Sequence, residues 1–117
     1  MDSYWALISI FHIFFVVPLF LTVGLLRSAT PIWLYWVMLI LGVVVLFYHG
    51  YKAIIRWSTG SNLLAISLIH TILIAPLLIY VGYQQKNSLR WSYELLMLAG
   101  FGALGYHLYN LVGVLQL

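Results

Sequence analysis

Four long apolar runs, broken by three short polar stretches, set the pattern of this chain. The first run covers 4–26 and stops at Arg27-Ser28-Ala29-Thr30-Pro31. The second covers 32–55 and closes on Arg56-Trp57, ahead of the polar turn Ser58-Thr59-Gly60-Ser61-Asn62. The third covers 63–83, and the most polar stretch, Gln84 to Arg90, separates it from the fourth, 91–115. Each run reaches the roughly 20 apolar residues that a helix needs to cross a bilayer. Open sheet edges leave backbone groups unsatisfied in lipid, so helices are expected. The pattern predicts an all-α integral membrane four-helix bundle, up-down-up-down, as one transmembrane domain over 1–117. Thr30 is placed to cap the second helix, with Pro31 at its first position. Pro18 and Pro76 each remove one helical hydrogen bond and predict kinks.

The chain also repeats itself. Shifted by 58 residues without a gap, it matches itself, with the first repeat over 1–58 and the second over 59–117. Ser9 meets Ser67, His12 meets His70, Pro18 meets Pro76 and Gly24 meets Gly82. Trp33 and Tyr35 meet Trp91 and Tyr93, and Gly42 meets Gly100. Tyr48, His49 and Tyr51 meet Tyr106, His107 and Tyr109, so every histidine of the chain belongs to the repeat. The unit repeated is a two-helix hairpin. Both copies therefore enter the membrane from one side, which predicts a pseudo-two-fold axis along its normal.

Composition sharpens this picture. The chain is 65% apolar and 6% charged, against about a quarter charged in an average soluble domain. Lipid is the expected partner, with further copies or a larger membrane complex as possible others. The net charge of +3 is scattered, with no basic cluster suited to nucleic acid. Absence of cysteine excludes disulfides and thiolate metal sites. The start Met1-Asp2-Ser3 lacks the positive charge of a cleavable signal. Trp5, Trp33, Trp57 and Trp91 near span ends mark the headgroup layers. Arg27, Lys86 and Arg90 on one side against Lys52 and Arg56 on the other do not fix orientation.

The candidate chemistry lies with His12, His49, His70 and His107. At about 1.5 Å per residue, His12 inside Trp5 and His49 before Trp57 both sit roughly 11 Å from one membrane face. Their repeat partners share that depth, and polar residues within spans tend to face the interior and mark function. The plainer reading is four separate imidazoles, each bonded to a neighbouring hydroxyl or carbonyl, such as Ser9 or Ser67. Convergence of all four predicts a buried four-histidine cluster binding haem b or a transition metal as an electron-transfer module. Gly42 and Gly100, two turns from a histidine, either let helices approach closely or make room for a flat ring. Tyr48 and Tyr106 adjoin the rings, and Ser9, Ser67, Tyr51 and Tyr109 are candidate supports. Lys52 and Arg56 form a basic mouth suited to anionic headgroups or haem propionates. Two alternatives stand beside this: a proton or ion channel using the histidine ring, and a structural subunit of a larger membrane assembly. The only acids are Asp2 and Glu94, near span ends, so neither hydrolytic nor transferase chemistry is expected.

Overall fold

A computed structural model describes residues 2–115, with the side chain of Asp2 left undescribed. Four helices are long and apolar enough to cross a membrane: α1 (Ser3–Ala29), α2 (Ile32–Ser58), α3 (Leu64–Asn87) and α4 (Arg90–Leu115). These match the four apolar runs, because only a helix bonds all its backbone groups within the segment.

The helices pack as two antiparallel pairs. Of the described residues, one compact unit holds 2–27 and 90–115, and the other holds 28–89. The first unit therefore pairs α1 with α4, and the second pairs α2 with α3. Each unit takes one helix from each sequence repeat, so the hairpin that was duplicated is not the unit that packs.

Glycine sets the contact in both. In the α2/α3 unit, a Cβ on Gly82 would lie 2.5 Å from Leu39 N, and one on Gly42 would lie 2.9 Å from Ile79 N. In the α1/α4 unit, a Cβ on Gly24 would collide with Met97 Cγ, and one on Gly100 would lie 3.0 Å from Leu21 Cδ2. Leu39 and Met97 are themselves repeat equivalents, so both pairs cross at the same place in the repeat. Such closeness suits membrane helices, whose association relies on van der Waals contact rather than hydrophobic burial. Tyr35, Met38, Leu78 and Val81 are buried in the second unit, and Phe20, Val23, Tyr93 and Leu96 in the first.

The irregularities repeat as well. A single π-helical turn spans His12–Val16 in α1 and His70–Ile74 in α3. Its closing bonds run from Val17 N–H to His12 O and from Ala75 N–H to His70 O. Pro18 and Pro76 come one residue after each turn, so the backbone disturbance expected at each proline takes the form of a widened turn ahead of it. Both helices tighten into a 3₁₀ turn, Arg27–Ala29 and Gln85–Asn87. The first residue of each turn has positive φ, 53° at Arg27 and 54° at Gln85. A side chain there is strained, which glycine would relieve.

The ends of α2 differ in how they are closed. Pro31 is the cap residue, with no side-chain capping bond, and helix begins at Ile32. Thr30 therefore does not cap α2 as its position suggested; it is buried, and its hydroxyl has no partner among the described residues. At the other end Gly60 has φ 67°. Its N–H bonds Trp57 O at 3.3 Å, and Ser61 N–H bonds Arg56 O at 2.9 Å. These are the two bonds of a glycine-terminated helix, and the left-handed residue they require is the reason for Gly60.

Candidate functional site: two stacked histidine pairs

The histidines of the two repeats meet in pairs across each helix contact. In the α1/α4 unit the rings of His12 and His107 stack, centroids 4.1 Å apart and planes 20° from parallel. In the α2/α3 unit His49 and His70 stack at 4.2 Å and 22°. On α1 and α3 the histidine opens the π turn, and its ring is tied back to its own helix. His12 Nδ1–H donates to Ile8 O at 2.8 Å, and His70 Nδ1–H to Ile66 O at 2.7 Å. That bond selects the Nδ1–H form of a neutral ring, leaving Nε2 as its basic nitrogen. On α2 and α4 the preceding tyrosine sits edge-on to its histidine: Tyr48 to His49 and Tyr106 to His107, each with centroids 5.1 Å apart.

This arrangement corrects the four-histidine cluster. Among the described residues, no group of three or more His, Asp or Glu side chains lies where it could hold one metal ion. Each imidazole instead stacks on one histidine of the helix it packs against. Ring nitrogens hold their lone pairs in the ring plane, so stacked faces direct them sideways rather than toward a shared atom. The haem b or transition-metal site on His12, His49, His70 and His107 is therefore not formed, and the electron-transfer role falls with it. So does the role of Lys52 and Arg56 as propionate partners. The conducting histidine ring falls for the same reason: the four rings are taken up two by two, each pair within one helix pair.

The supporting residues also have different partners from those expected. Ser9 and Ser67 do not orient the histidine one turn ahead, because the main-chain carbonyls of Ile8 and Ile66 do so. Fully buried Ser9 makes a long 3.4 Å contact from Oγ to His107 Nδ1 across the pair. Fully buried Ser67 accepts from Arg56 Nη1 at 2.6 Å. Arg56 Nη1 also reaches Leu63 O at 3.4 Å. Lys52 Nζ stands 5.8 Å above the Tyr48 ring. Tyr51 and Tyr109 point outward, 63% and 81% exposed. Gly42 and Gly100 lie against the neighbouring helix, at the close approach described above.

Some features had only faint sequence signals. The Gly24/Gly82 contact could have been suspected from retention of both glycines. Thr71 Oγ donates to Ser67 O at 2.7 Å, yet its repeat equivalent is Ile13, so repetition does not point to it. At the opposite end of the helices Glu94 joins Arg90 at 3.1 Å and Arg27 at 4.0 Å. These groups are largely exposed, so their pairing adds little stability.

No protein-family model, curated protein or solved structure matches the chain.

Proposed function

We propose that this chain is a multi-pass integral membrane protein with a structural role: a helix-packing module that assembles with further copies or with other membrane proteins. Its four helices cross the bilayer, and a pseudo-two-fold axis along the membrane normal relates the two repeats. The observation that carries this reading is the use made of polar groups inside the spans. The carbonyls of Ile8 and Ile66 take the Nδ1–H of His12 and His70. The rings then stack on the partner helix, as glue between spans. Exposed side chains such as Phe14 (74%) and Phe47 (72%) suit contact with lipid. Exposed Trp33, Trp57 and Trp91 suit the headgroup layers.

Alkaline carbonate extraction of membranes tests the placement, and the protein is expected to stay with the bilayer. Chemical cross-linking in those membranes tests assembly, and species larger than the 13.4 kDa chain are expected. Release into the aqueous phase refutes the first statement. A chain that cross-links to nothing at any reagent concentration refutes the second.

A further inference from the structure

We propose that the last turn of α2 carries a binding site for the phosphate of an anionic phospholipid, built on Arg56 and Lys52. The proposal rests on the membrane placement proposed above. Arg56 is held rather than loose: its Nη1 bonds Ser67 Oγ at 2.6 Å and reaches Leu63 O. A guanidinium has five N–H donors. Those on Nη2 and Nε have no partner among the described residues. Lys52, one helical turn earlier on the same face, stands over the Tyr48 ring and has no ion pair among the described residues. The sequence contains two acids, Asp2 and Glu94. Glu94 serves Arg27 and Arg90, and no described carboxylate pairs with Arg56 or Lys52.

A fixed, half-buried guanidinium at the rim of an apolar span is costly without a counter-anion. The headgroup layer supplies one at that level, since the next residue is Trp57, 73% exposed. The planar fork of arginine accepts two phosphate oxygens together, and lysine adds a point charge. The negative end of the α2 dipole opposes an anion here, but it is a partial charge against two full cations. The second repeat carries Asn110 and Val114 at the equivalent positions of α4. The repeat thus predicts one site per chain, and it provides an internal precedent for removing it.

Native mass spectrometry of delipidated, detergent-solubilised protein, titrated with phosphatidylglycerol, tests this. One lipid per chain is expected, held more tightly than phosphatidylcholine. Each cation removed should weaken retention about fivefold, the ratio that about 1 kcal/mol per basic residue corresponds to. The Lys52→Asn/Arg56→Val variant, which copies the second repeat, should therefore bind about thirtyfold more weakly. If it fails to fold, Lys52→Gln/Arg56→Gln removes both charges while keeping polar side chains at both positions and should show the same loss. Lys86→Gln, at the opposite ends of the helices, should leave retention unchanged. Equal retention of both lipids overturns the proposal, as does unaltered binding by the double variant or an equal loss in Lys86→Gln. Displacement of phosphatidylglycerol by an equal concentration of inorganic phosphate overturns the lipid source. Carbonate extraction reports separately on membrane placement, so its failure is distinguishable from failure of the lipid site.

Discussion

Gly82→Ala should separate α2 from α3. The added Cβ would stand 2.5 Å from Leu39 N and 2.7 Å from both its Cα and Cβ. Carbon atoms rest at about 3.5–4.0 Å, so the helices must part by about 1 Å where they cross. The obstruction is mainly backbone, so no side chain can rotate out of the way. Overpacking of this kind costs about 1–3 kcal/mol, and displacement of a whole helix points to the upper end. Replacing glycine by alanine returns at most about 1 kcal/mol through backbone entropy. The expected net loss is about 1–2 kcal/mol, a factor of roughly 5–30 in the ratio of folded to unfolded protein. Gly105→Ala adds the same methyl group where nothing lies within 4 Å, so only the favourable term remains. Gly100→Ala should fall between them, because its Cβ would meet a movable Leu21 side chain. Reversible unfolding in mixed micelles, followed by circular dichroism, gives all three values against wild type. A Gly82→Ala protein as stable as wild type, or a Gly105→Ala protein that is the more damaged, would refute the close-approach reasoning.

Four further outcomes follow from the same contacts. Double-mutant cycles to alanine should give coupling of about 0.5–1.5 kcal/mol within His12/His107 and within His49/His70, the range for stacked rings; zero coupling within both pairs would contradict the stacks. Ser67→Ala should destabilise more than Ser9→Ala, since Ser67 takes a 2.6 Å charge-assisted bond and Ser9 a 3.4 Å contact; the reverse order in the same unfolding assay would count against that difference. Gln85→Gly should stabilise by about 1 kcal/mol, because φ of 54° strains a side chain but not glycine; a lower midpoint would show that the strain is absent. Fragments 1–59 and 60–117, expressed together, should co-purify, because each helix pair needs one helix from each; independent elution would oppose the observed pairing.

Much of this protein can be read along the chain. The four helices follow from the apolar runs, each of which is long and apolar enough to cross a bilayer. The duplication follows from His12, Pro18, Gly24, Gly42 and His49 recurring 58 residues later. Glycine as the residue of close approach, rather than room for a flat ring, was also among the readings the sequence allowed.

Partnership was decided only by the tertiary structure. Depth along a helix is a one-dimensional property, whereas meeting across a contact depends on rotation about the helix axis and on which neighbour is chosen. A haem held by two histidines would want them on diagonal helices, His12 with His70 or His49 with His107, whereas the packing places His12 against His107 and His49 against His70. Ser67 likewise looked like the orienting group for His70, until the side chain of Arg56 reached it from α2. Four imidazoles at one depth make one site only if their helices turn them toward one axis. The α1/α4 and α2/α3 contacts instead consume them two at a time, and glycine at the crossings holds those pairs together.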